Sequence, residues 1–258
     1  MDLIHPTSIL DPSAELGENV TIGPFSIIGK GVKIGDGSHV YSHVNIEGKT
    51  TLGKNTKIFP HSSIGTAPQD FKYQGEETSL VIGDNTTIRE YVTINRATGM
   101  DEWTTKIGNN CYFMAYSHVA HNSIIGNNVV IANVGTLAGH VVVEDFAIIG
   151  GIVGLHQFTR IGCYAIVGAC SGIAQDVLPY SRVSGMRART YGINAIGLQR
   201  HKFPVEKIQK IKSAFKIIYN SKLNTSQALE RIQNEIKDSP EVDHIIEFIK
   251  TTKRGICK

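Results

Sequence analysis

No apolar run in this sequence approaches the roughly 20 residues that cross a bilayer, which excludes an integral membrane helix. The opening Met1-Asp2-Leu3-Ile4-His5-Pro6 has no secretory hydrophobic region. The four cysteines, Cys111, Cys163, Cys170 and Cys257, have neither CxxC spacing nor the pattern of a small disulfide framework. They read as reduced thiols of a cytoplasmic protein. Neither sign of charge is in excess. Lys plus Arg number 26 and Asp plus Glu 23, for a net charge of +3, a balance that does not point to nucleic acid. Acidic residues are missing from one stretch altogether, between Asp176 and Glu206, where Arg182, Arg187, Arg189, Arg200 and Lys202 fall. Such a local positive field suits an anionic ligand or an acidic protein partner.

What the chain has instead is a period of six. Every sixth residue from Ile4 is aliphatic: Ile4, Leu10, Leu16, Ile22, Ile28, Ile34, Val40, Ile46, Leu52, Ile58 and Ile64. After a gap of eighteen the series resumes at Ile82, Ile88 and Ile94. It slips by one residue to Ile107 and runs on through Phe113, Val119, Ile125, Ile131, Leu137, Val143, Ile149, Leu155, Ile161, Val167 and Ile173. Glycine often follows the aliphatic, as at Gly23, Gly35 and Gly108, and small or β-branched residues stand two places before it. Six is neither the 3.6 of an amphipathic helix nor the alternation of a flat strand. It fits a short strand and a corner, three of which close one triangular coil. Successive coils stack by parallel pairing about 4.8 Å apart. The large aliphatic fills the interior, the small residue sits where room is short, and glycine at the corner is expected to supply unusual backbone angles. Handedness does not follow from the period.

Two segments interrupt it, near 67–79 and near 97–105, and read as extrusions at corners. After Pro179 the repeat ends. Lys207 to Tyr219 has Ile208, Ile211, Phe215 and Ile218 at helical spacing. Asn224 can cap a second helix, and Ser239-Pro240 begins a third. Two domains are therefore expected, a β-helix over 1–190 and a helical domain over 191–258 that covers the open end of the last coil.

The register also sorts the histidines. Val119, Leu137 and Leu155 are eighteen apart, so His121, His140 and His156 follow the same strand in three consecutive coils and are expected on one wall. An imidazole there suits proton removal from an alcohol. Three imidazoles could equally hold zinc with an open position, as in a hydratase, or form a ladder on a non-catalytic scaffold.

Several motifs carry a resemblance that covers the whole chain. Gln69-Asp70-Phe71-Lys72-Tyr73, Ser117-His118-Val119-Ala120-His121-Asn122, Ala138-Gly139-His140, Leu155-His156-Gln157-Phe158 and Gly192-Ile193-Asn194 together resemble the UDP-N-acetylglucosamine O-acyltransferases of lipid A synthesis. The resemblance implies a left-handed parallel β-helix with a C-terminal helical domain, assembled as a cytoplasmic homotrimer with clefts between subunits. It implies no metal and no cofactor. The donor would be a β-hydroxyacyl thioester of acyl carrier protein, and the acceptor the 3-position of UDP-N-acetylglucosamine; acylation of the 3-amino analogue is the alternative. By that resemblance His121 is the general base and the Gly139 N–H meets the oxyanion. Asp70 and Lys72 hold the sugar and phosphate side. His118, His140, His156 and Gln157 contact sugar and pantetheine, and Asn194 and Arg200 meet nucleotide phosphate or the carrier.

Three positions depart from the family pattern. Asn122 stands where an aspartate is usual, so a backbone carbonyl or water is expected to orient the His121 ring. Ile196 replaces an acidic residue. Ala169 stands where members taking longer acyl chains have glycine, which predicts a different chain-length preference.

Overall fold

Three sheets of nine, eight and ten strands form the sides of a prism among the described residues, and within the repeat each strand pairs in parallel with the one three places on. The computed structural model describes residues 3–100 and 102–258. Met1 and Asp2 of the amino-terminal reading, and Asp101 of the second extrusion, lie outside the described residues. Strand pairs such as Ile27↔Asn45, Ile28↔Ile46 and His118↔Thr136 are offset by eighteen residues, the predicted circuit. Most strands are two residues long; the period residue points inward and its predecessor outward, as in Lys33–Ile34 and Lys57–Ile58. From Ile22 to Ile173 the period residues are all buried, and each contributes about 1.5–3 kcal/mol by leaving water. Ile4, Leu10 and Leu16 are only partly covered, because the first coil has a neighbour on one side alone. The residues two places earlier, among them Val20, Val32, Val44, Thr50 and Thr56, are buried beside them.

The glycines act for a different reason from the one expected. Apart from Gly65 (φ 76°), those that follow the aliphatic have ordinary φ. A Cβ on Gly23 would lie 2.7 Å from the Tyr41 carbonyl carbon, and one on Gly35 2.7 Å from that of Gly53. Glycine is needed there because the next coil's backbone passes too close for a side chain. The positive φ falls two residues later, mostly on non-glycine residues. One corner carries Phe25, His43, His61, Tyr91, Tyr116, Val134, Ile152 and Cys170, all with φ between 55° and 64°.

Both interruptions leave the prism without disturbing it. Ser63 pairs with Thr93 and Thr93 with His118, so the ladder Ile64–Ile94–Val119 stays in register across both. The shift of one residue at Ile107 is absorbed inside the second extrusion.

The end of the prism is more elaborate than a helical cap. Ser181–Ser184 adds a parallel strand beside Ile166–Val167, then Arg189–Ile193 returns antiparallel to it. This hairpin straddles the expected boundary at 190/191 and closes one sheet edge; sequence periodicity missed it because its strands abandon the period of six. An isolated bridge from Asp176 to Ile256 covers another side. Four helices follow rather than three: α1 (Ala195–Arg200), α2 (Val205–Asn220), α3 (Thr225–Glu235) and α4 (Pro240–Lys250). Helix α1 is a little under two turns, too short to show periodicity. Asn224 caps α3 in a full capping box and Ser239 caps α4, as their positions imply. A second core, including Leu178, Tyr180, Leu198, Phe215 and Phe248, joins the helices to the last coils.

Candidate active site

Both extrusions emerge at the corner that follows the nine-stranded sheet, after Ser63–Thr66 and after Thr93–Asn95. The His121 turn occupies the same corner one coil on, directly after His118–Val119. Three coils thus bring Asp70, the Thr98–Met100 segment and His121 together. The signal was available in the sequence, since Ile64, Ile94 and Val119 hold one slot of consecutive coils.

The His121 ring is held on one side by an amide. Its Nδ1 lies 2.9 Å from Asn122 Oδ1. That oxygen also accepts from the Thr98 N–H and the Thr98 hydroxyl, each at 2.9 Å, and Asn122 Nδ2 donates to the Met100 carbonyl at 2.8 Å. A backbone N–H can only donate and a carbonyl only accept, so Asn122 has one permitted orientation. Its oxygen faces Nδ1, which therefore carries the hydrogen, leaving the lone pair on Nε2. The expectation that a backbone carbonyl or water would orient the ring is corrected: the Asn122 side chain does it.

Nε2 faces the first extrusion, with Asp70 Oδ2 3.9 Å away. On the next coil Gly139 packs against the ring; a Cβ there would stand 2.6 Å from His121 Cε1 and 2.7 Å from Nε2. Among the described residues the Gly139 N–H donates to no backbone carbonyl, so it is not consumed by coil stacking. Lys72 is exposed beside Asp70, and its N–H caps the Asp70 carboxylate at 2.9 Å. His118 reaches Thr93 Oγ1 at 2.7 Å; burial, and then the neighbouring His121, push its imidazole below the usual range and keep it neutral.

The three histidines of the predicted wall behave differently. His140 meets His121 edge-on, with ring centroids 5.2 Å apart. Eighteen residues beyond His140 stands Phe158, not His156, and the two rings stack at 4.6 Å. His156 leaves the strand two residues earlier. It is exposed, with Gln157, and lines a cavity of about 580 Å³ with Ala174, Gln175, Met186 and Arg187. Nothing in the sequence marks Phe158 as a site residue, because a phenyl ring carries no exchangeable proton.

Asn194 and Arg200 are not near His121 in this chain. Asn194 caps α1 through Gly197 N at 3.1 Å and donates to the Tyr164 carbonyl at 2.9 Å, at a different corner of the prism. Those bonds use one donor and one acceptor site of the amide and leave one of each. Arg182, Arg187, Arg189, Arg200 and Lys202 are all exposed, as is Ile196. Ala169 is exposed too, beside Cys170 on the corner with the aromatic ridge.

The imidazoles at 121, 140 and 156 do not converge as metal ligands. Among the described residues the one group with that convergence is Glu144, Cys163 and His244. His244 Nε2 is already paired with Glu144 Oε2 at 2.7 Å, the same oxygen accepts the Cys163 N–H at 2.9 Å, and Arg160 approaches the other oxygen at 4.0 Å. These groups satisfy one another as a latch between α4 and the coils. The Cys163 side chain and the Glu144 carboxylate raise the His244 imidazole to about 10.

A parallel β-helix with a histidine-bearing corner and a helical C-terminal domain defines a hexapeptide-repeat acyltransferase. The hexapeptide-repeat transferase model matches residues 13–48 and 104–135, and domain 2 of UDP-N-acetylglucosamine O-acyltransferase matches residues 176–257. An acyl-[acyl-carrier-protein]–UDP-N-acetylglucosamine O-acyltransferase of Thermodesulfovibrio yellowstonii is 51% identical over the full length of both chains. The enzyme of the same name from a Janthinobacterium strain is 46% identical, again with both chains fully covered. Among solved structures, LpxA from Acinetobacter baumannii superposes with a TM-score of 0.97 at 42% identity over all of both chains. LpxA from Bacteroides fragilis gives 0.95 at 42% identity over 98% of this chain and 99% of that one. This chain belongs to the UDP-N-acetylglucosamine O-acyltransferase family, and its prism is the left-handed parallel β-helix of that family.

Proposed function

We propose that this chain transfers a β-hydroxyacyl group from the thioester of acyl carrier protein to the 3-hydroxyl of UDP-N-acetylglucosamine, with His121 as the general base. The observation that carries the mechanism is the amide-held ring: Nδ1 bears the hydrogen, so Nε2 presents a lone pair toward the open corner. Nε2 takes the proton as the sugar oxygen attacks the thioester carbonyl carbon. The carbonyl oxygen becomes an oxyanion met by the Gly139 N–H, and collapse expels the carrier's thiolate, which takes up a proton. Asp70 and Lys72 grip the sugar and phosphate side, while His118, His140, His156 and Gln157 line the path of sugar and pantetheine. The O-acyltransferase relatives favour the hydroxyl acceptor over the amide-forming alternative, and the separated imidazoles favour proton transfer over a zinc hydratase.

Assembly as a homotrimer with clefts between subunits is part of this reading. Support comes from the exposed ridge of Phe25, Tyr91, Tyr116, Val134 and Ile152. Two of these, Val134 (φ 62°) and Ile152 (φ 56°), are β-branched residues in the left-handed region, a strained and water-facing arrangement that a covering subunit would explain. A neighbouring copy would also bring Asn194, Arg200 and the basic stretch to the cleft, where the nucleotide diphosphate and the acidic carrier are both anionic. Ala169, beside the ridge, would then border the acyl chain. No helix of the described residues is long and apolar enough to cross a membrane, which accords with a cytoplasmic enzyme.

The test is His121→Ala, assayed with acyl carrier protein thioester and UDP-N-acetylglucosamine. Loss of about 10²–10⁴-fold in kcat with an unchanged melting temperature is expected. A folded variant with wild-type turnover would refute the assignment.

A further inference from the structure

The first extrusion has little to hold it in place. Gln69, Phe71, Lys72, Gln74, Gly75 and Glu77 are exposed, and Phe71 has no cover at all. A segment with so few buried contacts needs a specific anchor if one of its side chains is to stay aimed at a site.

A continuous chain of contacts supplies one. Asp70 and Tyr73 close a single tight turn, with the Tyr73 N–H donating to the Asp70 carbonyl at 3.1 Å. The Tyr73 hydroxyl donates to the Glu76 carbonyl at 2.8 Å and accepts from Arg96 Nε at 3.2 Å, while the guanidinium lies 5.6 Å from the centre of the Tyr73 ring. Arg96 stands on the prism: its Nη1 donates to the Gly65 carbonyl at 2.8 Å and lies 3.8 Å from the Glu47 carboxylate. Its side chain is only 18% exposed. A Cβ on Gly48 would come within 3.0 Å of Nη1, so the coil leaves room for the guanidinium. Only a planar fork with several donors can serve two oxygens and cover an aromatic ring together; a lysine in its place would offer one point charge.

We propose that Arg96 and Tyr73 are a strut that positions Asp70 against His121, and so are positioning residues for the acceptor sugar. The inference rests on the reading of Asp70 as an acceptor contact. It assigns a role to two residues that touch neither substrate: the coil holds Arg96, Arg96 holds Tyr73, and Tyr73 sets the turn whose carboxylate stands 3.9 Å from the base.

Steady-state kinetics on the whole enzyme, with acyl carrier protein thioester and UDP-N-acetylglucosamine varied separately, tests this. Tyr73→Phe deletes the hydroxyl and keeps the ring; Arg96→Met keeps the stem and deletes the fork. Each is expected to raise the acceptor KM about tenfold, within the range that a misplacement of about 1 Å can cost, and to leave the donor KM unchanged. Asp70→Asn should raise the acceptor KM by at least as much. Combining Arg96→Met with Asp70→Asn should then add little, because the strut acts only through Asp70. If Arg96→Met lowers the melting temperature too far for assay, Tyr73→Phe carries the test alone. An unchanged acceptor KM in the strut variants, beside a raised one in Asp70→Asn, overturns the strut while leaving the function intact. Fully additive effects in the double variant overturn it as well. An unchanged KM in Asp70→Asn overturns the role of Asp70 and the strut with it.

Discussion

Asn122 Oδ1 lies 2.9 Å from His121 Nδ1 and is at the same time the acceptor for two groups of Thr98. One side chain therefore does two things. It selects the tautomer of the base, and it ties the second extrusion down beside that base through Thr98 and Met100. An aspartate could do the first but not all of the second, because it has no hydrogen to give the Met100 carbonyl.

The two jobs separate by mutation. Asn122→Asp keeps an acceptor opposite Nδ1 and should retain most of kcat. It buries an anion against the Met100 carbonyl at a position 6% exposed, so stability should fall by about 1–3 kcal/mol. Asn122→Leu removes the acceptor and should lower kcat by about 10–100-fold, since the tautomer is no longer selected. Thermal melts and turnover measured on both variants distinguish the effects, and equal kcat values would contradict the tautomer argument.

Gly139 is expected to tolerate no side chain. Its added Cβ would overlap the His121 ring at 2.6 Å, and the ring cannot retreat while Asn122 holds it. Gly139→Ala should lower kcat by up to about 100-fold through displacement of the base, with a stability loss of about 1–3 kcal/mol from overpacking. A crystal structure of the variant should show the ring moved. Wild-type kinetics would mean the corner is softer than its hydrogen bonds imply.

The latch between α4 and the coils gives the fold a pH dependence. His244 is raised from 6.5 to about 10 in the folded chain by Cys163 and Glu144. A raised imidazole binds its proton more tightly when folded, so its contribution is fully present below about pH 6.5 and is lost as pH rises through about 10. Melting temperature should therefore decline across that window in the wild type and less steeply in His244→Gln. Parallel curves for the two proteins would show that the pair does not contribute.

Chain-length preference offers a further check. Ala169→Gly removes one methyl from the position bordering the proposed acyl path. The longest acyl thioester accepted should increase, read as turnover across a series of chain lengths. An identical length profile for both proteins would remove Ala169 from the substrate path.

The repeat makes the prism legible in the sequence. An aliphatic at every sixth position has few ways to bury itself, and the pairing of Ser63, Thr93 and His118 follows once the slots are aligned. Helices α2, α3 and α4 were equally plain, from their spacing and their caps. The closing hairpin and α1 were not, because short elements outside a repeat leave no period to detect. The reason for the glycines is not legible either: a close approach between successive coils leaves the same residue type as a strained corner does.

Sequence alone determined the class of fold, the wall that carries His121 and His140, and the family to which the chain belongs. Tertiary structure alone decided which neighbours those side chains meet: that Asn122 turns its amide oxygen to the ring, that Phe158 rather than His156 continues the stack, and that Asp70 comes back to Nε2. The physical reason is one of range. Periodicity encodes which residues share a face, because the backbone repeats; hydrogen-bond direction and loop placement depend on donors and acceptors brought together from distant coils, and no spacing along the chain records those.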